Sequence, residues 1–160
     1  MIFTTKAEYG VRLLVELGRQ RGRQPVSLKA IADAEGLPLA YLERIVALLK
    51  KSGFVESTRG AHGGYRLSRE AEEIRMDEVV LALEGAVAPM SCFIDDTGDG
   101  RVLCSHVDDR GHGCATKLLW TRVHGGVIKA LANTTLAELV AFSERTAPSP
   151  SPDSTAPVAV

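Results

Sequence analysis

The sequence predicts a mainly α-helical fold with one small β-hairpin: a winged helix–turn–helix followed by a long dimerisation helix. Three observations carry that expectation. Two short amphipathic segments, residues 28–35 and about 39–51, are joined by Gly36-Leu37-Pro38, as in a helix–turn–helix. A strand–turn–strand pattern follows at once, with Gly60, Gly63 and Gly64 in and beside its turn. A long amphipathic segment near residues 114–132 then stands outside this unit and needs a partner surface.

In chain order, Thr4 or Thr5 caps a first helix that runs to about Arg19. Its apolar positions Ala7, Val11, Leu14, Val15 and Leu17 recur near helical spacing. Ser27 caps the next helix, from Leu28 to about Glu35, and Gly36 stops it. The following helix starts near Leu39, carries Leu42, Ile45, Val46, Leu48 and Leu49 on one side, and ends at Lys50-Lys51-Ser52-Gly53. Residues 54–59 read as a strand and residues 65–67 as its return. The tip between them carries Arg59 and His62, and glycine there lets backbone approach a groove closely. A phosphate-binding loop would need a helix directly after the glycines; a strand follows instead.

Residues 68–85 are expected to form a further helical segment, and residues 86–113 an irregular one. The run Asp95-Asp96-Thr97-Gly98-Asp99-Gly100 lacks the spacing and terminal Glu of a calcium-binding hand and reads as a solvated turn. The long helix from about Cys114 carries Leu119, Trp120, Val123, Val127, Ile128 and Leu131. A two-fold dimer through this helix would match a palindromic site. Thr135 and Glu138 form a capping box ahead of a last short helix. Residues 146–160, rich in Pro, Ser, Thr and Ala, read as a disordered tail. The expected organisation is therefore a winged helix–turn–helix domain (1–85), a cysteine-containing loop (86–113), a dimerisation helix with a short C-terminal helix (114–145) and the tail.

Net charge is −1, but its distribution is uneven. Residues 19–70 carry ten Lys/Arg against five Asp/Glu, and residues 71–160 carry seven against thirteen. A basic half beside an acidic half suits contact with a polyanion through one part only. No apolar run approaches the ~20 residues that span a bilayer, and the N-terminus lacks a signal-peptide plan. No membrane association is expected, and a cytoplasmic location is. The three cysteines, Cys92, Cys104 and Cys114, are an odd number in such a chain and do not suggest a disulfide framework. No nucleophile–base pair is evident, and His62, His106, His112 and His124 form no catalytic pattern, so an enzyme is not expected.

Three stretches resemble the Rrf2 family of bacterial transcription regulators. They are residues 4–12 (Thr4-Thr5-Lys6-Ala7-Glu8-Tyr9-Gly10-Val11-Arg12), residues 41–55 from Tyr41-Leu42-Glu43-Arg44-Ile45 through Gly53-Phe54-Val55, and residues 57–65. The last, Ser57-Thr58-Arg59-Gly60-Ala61-His62-Gly63-Gly64-Tyr65, is the most specific, and residues 135–139 also fit the family. The resemblance implies a homodimer on a palindromic double-stranded DNA operator, acting as a repressor. It implies that the second helix of the motif enters the major groove and the wing the minor groove. Glu43 and Arg59 then stand where relatives read DNA. A carboxylate can accept from cytosine N4, and an arginine suits the narrow minor groove of A/T-rich DNA. Arg44, Lys50 and Lys51 are candidates for phosphate contacts.

The same resemblance implies an iron–sulfur cluster held by Cys92, Cys104 and Cys114, whose thiolates are suitable soft ligands. For a fourth ligand, Glu8 stands where nitric oxide-sensing members use a first-helix acid from the partner subunit. Iron–sulfur biogenesis regulators use a histidine three residues after the last cysteine; here that position is Lys117. His106 and His112 are the alternatives within the loop. The spacing departs from the family pattern of five residues between cysteines: eleven separate Cys92 from Cys104, and nine separate Cys104 from Cys114. A [4Fe–4S] cluster on three cysteines and Glu8 is the first reading, and a [2Fe–2S] cluster with mixed ligands the second. A cluster-free regulator sensing through thiols or a partner protein is the alternative. The expected signals are redox state, nitric oxide or iron–sulfur status.

Overall fold

The computed structural model describes residues 3–20, 24–60, 62–85 and 115–146. Their elements run α1 (Thr5–Arg19), α2 (Leu28–Glu35), α3 (Leu39–Lys51), β1 (Val55–Thr58), β2 (Gly64–Leu67), a 3-10 turn (Ala71–Glu73), α4 (Met76–Glu84), α5 (Ala115–Ala132) and α6 (Leu136–Thr146). This is a winged helix–turn–helix with two further helices. The cysteine segment and the tail, including Cys92, Cys104 and Cys114, lie outside the described residues.

Helix α1 is the spine. The Thr4 hydroxyl accepts from the Lys6 amide at 3.2 Å and also donates to Glu84 at 2.6 Å, so one cap ties α1 to the end of α4. The buried face of α1 comprises Ala7, Gly10, Leu13, Leu14, Glu16, Leu17 and Gly18. A Cβ on Gly10 would stand 2.3 Å from Leu83 Cδ1, and one on Gly18 2.6 Å from Val140 Cγ2. Leu83 of α4 and Val140 of α6 therefore pack directly onto the α1 backbone, and a side chain at either glycine would have to displace them.

Helix α2 begins at Ser27, whose Oγ accepts from the Ala30 amide at 3.1 Å, and ends at Gly36 with φ +63°. The Leu37 amide donates back to the Ala32 carbonyl at 2.9 Å, satisfying a terminal acceptor. Pro38 precedes α3 and supplies no side-chain cap. Leu42, Ile45, Val46 and Leu49 turn inward to meet Leu13, Leu14, Leu17 and Ile31 in the core. Each such side chain contributes ~1.5–3 kcal/mol by leaving water.

β1 and β2 pair antiparallel, with Val55 opposite Leu67 and Thr58 opposite Gly64. Val26 bridges the other side of β2, exchanging backbone hydrogen bonds of 2.8 and 2.9 Å with Tyr65. Gly64 makes this approach feasible: a Cβ there would meet the Val26 carbonyl oxygen at 2.5 Å.

The expected helix over residues 68–85 is broken. The 3-10 turn is followed by extended backbone at Ile74 and Arg75, and α4 starts only at Met76. The cause is distant in sequence. The Leu136 amide donates to the Ile74 carbonyl at 2.9 Å, and the Met76 amide donates to the Thr134 carbonyl at 3.0 Å. This pairing takes up main-chain groups that a continuous helix would use, and it anchors the start of α6. Thr135 Oγ1 accepts from the Glu138 amide at 3.4 Å, which is one half of the expected capping box. Leu136 and Val140 then bury α6 against the core. Helix α5 lies against α4 but leaves Leu118 and Leu119 more than half exposed.

Two outcomes follow from this packing. Gly64→Ala should cost about 1–3 kcal/mol, because backbone rather than a side-chain tip must yield; urea unfolding should show a lower midpoint at unchanged slope. Arg75 forms a two-point ion pair with Asp77, whose hydrogen bond holds the Asp77 carboxyl below the usual carboxylate range. The stability this adds is present above the unfolded value of about 3.9 and is lost as pH falls through the depressed folded value. The stability difference between wild type and Asp77→Asn should therefore shrink on acidification, as measured by denaturant unfolding across that range.

Candidate nucleic-acid interface and metal-ligand residues

The side of α3 turned away from the core is a continuous stripe. Ala40, Glu43, Arg44, Ala47, Lys50 and Lys51 are all exposed, following the helical spacing expected of one face. Between its charges the stripe is flat, since Ala40 and Ala47 project only a methyl group. Arg44 and Lys51 enter no ion pair among the described residues. Lys50 is different: its ammonium donates to Ser57 Oγ on β1 at 2.6 Å. This fastens the end of α3 to the wing, while an ammonium retains further donors for another acceptor.

Arg59 and His62 are exposed at the wing tip. Glycines flank these two residues: Gly60 has φ +117°, and a Cβ on Gly63 would come within 2.3 Å of the Thr58 carbonyl oxygen. Arg66 and Glu56 pair across the strands at the base of the wing, so the Arg59 guanidinium at its tip is not neutralised by this acid.

One arginine ties α1 to the end of α2 in the helix–turn–helix. Arg12 Nε donates to Glu35 Oε2 at 2.8 Å, and its Nη2 donates to the Glu35 main-chain oxygen at the end of α2. The guanidinium lies 6.0 Å from the Tyr9 ring centroid. Tyr9 in turn meets Tyr41 of α3 edge to face, with centroids 5.6 Å apart. None of these links was expected. Only Arg12's spacing from Glu8, one helical turn away, hinted at a role; the Arg12–Glu35 pair is 23 residues apart in sequence.

Glu8 sits in the first turn of α1 with its side chain 64% exposed, and its contact with Arg12 is loose, at 3.9 Å. The other proposed ligands, Cys92, Cys104, Cys114, His106 and His112, lie outside the described residues. Among the described residues no group of three His, Cys, Asp or Glu side chains is arranged to hold a metal ion. No described helix is long and apolar enough to cross a membrane.

Residues 3–142 match the sequence profile of the Rrf2 family, described as iron-dependent transcriptional regulators. The chain belongs to the Rrf2 family. This Rrf2 chain is 36% identical over 140 residues to protein rrf2 of Nitratidesulfovibrio vulgaris, spanning 88% of this chain and 87% of that one. It is 33% identical to the transcriptional regulator CymR of Bacillus subtilis, over 90% of this chain and 93% of that one. The solved structure of that protein, described as the global cysteine regulator of B. subtilis, superposes with a TM-score of 0.72 at 32% identity, covering 89% and 98% of the two chains. The structure of T. potens IscR gives a TM-score of 0.73 at 31% identity, covering 94% of each chain. The Rrf2 chain is thus a transcription regulator with a winged-helix fold, as the three sequence stretches implied.

Arg12→Met should lower stability by roughly 1–2 kcal/mol, since it removes two charge-assisted hydrogen bonds that are partly exposed. Arg12→Lys should recover only part of this, because a single ammonium cannot reproduce the two-point contact with Glu35. Denaturant unfolding of the two variants measures both values.

Proposed function

We propose that this Rrf2 regulator is a homodimeric repressor that binds a palindromic double-stranded DNA operator and responds to an iron–sulfur cluster. The exposed stripe of α3 beside a cationic wing carries the DNA-binding part. In this reading Glu43 reads base edges in the major groove, Arg44, Lys50 and Lys51 hold phosphates, and Arg59 and His62 enter the minor groove. The winged helix–turn–helix of residues 1–85 is the DNA-binding unit, and α5 supplies the dimer contact. The exposed Leu118 and Leu119 suit burial against a second copy.

Cys92, Cys104 and Cys114 would hold the cluster, with Glu8 from the other copy as fourth ligand and a [4Fe–4S] centre as the preferred type. The donor set fits: three thiolates suit iron–sulfur chemistry, and an exposed carboxylate with only a loose ion pair is free to accept another partner. When bound, a cluster supplies a centre sensitive to redox state and nitric oxide. The contribution of the chain lies in where Glu8 stands. It is beside Arg12, which grips the end of α2, so a change in what the carboxylate binds alters the surroundings of the helix–turn–helix and shifts the equilibrium for DNA.

A cluster-free regulator that senses through its cysteine thiols is the second reading. The similarity to the B. subtilis cysteine regulator favours it. Anaerobic purification with visible absorption and iron and sulfide analysis separates the two. A coloured, iron- and sulfide-containing protein that loses its colour on Cys→Ser substitution at each of the three positions is expected. A colourless, iron-free protein that binds and releases its operator normally would overturn the cluster. Glu8→Ala should alter the spectrum or the lifetime of the cluster; no change would shift the fourth-ligand role to His106 or His112. Arg59→Ala should weaken operator binding by about 1–3 kcal/mol, measured at fixed salt.

A further inference from the structure

A groove of about 490 Å³ opens between the N-terminal parts of α1 and α3, lined by Thr5, Tyr9, Pro38, Ala40, Tyr41 and Arg44. Its chemistry is one-sided. No acid lines it, and it presents three hydroxyls and a guanidinium. Among the described residues no hydrogen bond engages the side chains of Thr5, Tyr9, Tyr41 or Arg44. The two phenol rings are half-buried and brace each other edge to face at 5.6 Å. Their hydroxyls are therefore held by the rings rather than by polar partners. Ala40 and Arg44 belong both to this groove and to the exposed stripe of α3, so the groove is continuous with the proposed DNA-binding face.

A set of donors with a cation, next to a small apolar surface, is complementary to a sugar–phosphate unit. We infer that this groove seats the DNA backbone flanking the base-reading contacts, with the Tyr9 and Tyr41 hydroxyls and Arg44 as a phosphate clamp. The inference rests on the DNA-binding reading and adds two residues to it. The tyrosines have a second effect as positioning residues. Tyr9 belongs to α1 and Tyr41 to α3, so a backbone phosphate gripped by both would fix the angle at which α3 enters the major groove. Such contacts set register and affinity without carrying sequence information.

The test uses the full-length protein and a mixed-sequence duplex of about 30 base pairs, long enough for non-specific binding through phosphates alone. Affinity is measured by fluorescence anisotropy over a salt series. Tyr9→Phe and Tyr41→Phe keep the rings and remove the hydroxyls. Each should weaken binding about threefold and the double variant about tenfold, the low end for a solvent-exposed hydrogen bond from a neutral hydroxyl to a phosphate, with the salt slope unchanged. Arg44→Met should weaken binding and also lower the slope by about 0.9, the value for one lost phosphate contact. Thermal melting checks that each variant is folded.

Arg59→Ala, measured on the same duplex, tests the underlying reading. If wild type does not bind the duplex, the DNA-binding reading fails; if Arg59→Ala binds as wild type does, the wing placement fails. If wild type binds and Arg59→Ala weakens it while the double Phe variant binds like wild type, only the clamp is overturned. Inorganic phosphate is the second probe. A phosphate-dependent rise in melting temperature that the double Phe variant loses, with unchanged DNA affinity, would mean that the groove takes a free anion and would overturn the assignment to DNA.

Discussion

Gly10 and Gly18 stand on the buried face of α1, and each lacks the one carbon that would hold a neighbouring helix away. Leu83 of α4 and Val140 of α6 occupy the space a Cβ would claim. The close seating of α4 and α6 on the spine rests on this missing carbon. With α4 and α6 drawn in on one side, the remaining surface of α1 stays available to α2, α3 and β2, all of which touch it. The helix–turn–helix is thus mounted on a spine clamped from behind. A recognition helix held in this way carries little of its own stability requirement, since its inner face of Leu42, Ile45, Val46 and Leu49 is paid back by a core it shares with the spine. Its outer face is then free to be charged and flat.

Features set within a few residues were legible in the sequence. The caps at Thr4 or Thr5 and at Ser27 and the stop at Gly36 are local hydrogen-bond and φ requirements, and the structure has them at Thr4, Ser27 and Gly36. The outward stripe of α3 is the complement of its apolar period, so the exposed positions of Glu43, Arg44, Lys50 and Lys51 could be read directly. The break at Ile74 and Arg75 could not. It is imposed by Thr134 and Leu136, which pair with that stretch across the fold, and residues 68–85 taken alone give no sign of it. The same holds for Arg12 and Glu35, and for Tyr9 and Tyr41. Each pair joins separate helices, and spacing along one helix is blind to them. Lys50 is an intermediate case: its exposure was legible, but its bond to Ser57 was not, because the register of the wing against α3 is a tertiary property.

The polar contacts divide by what they hold. Glu84 receives the Thr4 hydroxyl and lies 4.0 Å from Lys6; Arg69 reaches Glu78 at 3.5 Å while its guanidinium lies 4.8 Å from the Phe54 ring centroid. These lie away from the stripe of α3. A surface pair such as Arg69–Glu78 contributes little to stability, of order 0–1 kcal/mol, whereas the Glu84 side chain is largely buried where it receives Thr4. On α3 and at the wing tip the cations Arg44, Lys51 and Arg59 are left without such partners among the described residues. Among the described residues, the unpaired cations of residues 19–70 thus include a group on α3 and the wing tip, with Lys29 on α2 a further exposed one, although net charge over the chain is only −1.

That concentration bears on how regulation could work in the proposed reading. Binding through several phosphates is steeply dependent on geometry, because two half-sites must be met at once by one rigid dimer. A small rotation of each recognition helix then costs contacts on both sides. Turning a repressor from mostly bound to mostly released requires a differential of a few kcal/mol between its two conformations. A carboxylate–guanidinium contact at the surface is too weak to supply that alone. In the proposed reading, Glu8 and Arg12 are where a change would enter, and the amplification would come from the contacts the two recognition helices make together. The spine arrangement supports this division. Glu8 and Arg12 are on α1, the base of Arg12's grip is the end of α2, and the helix that follows across Gly36 and Pro38 is α3. A displacement of α1 relative to its partner copy would therefore carry the recognition helix with it as one body.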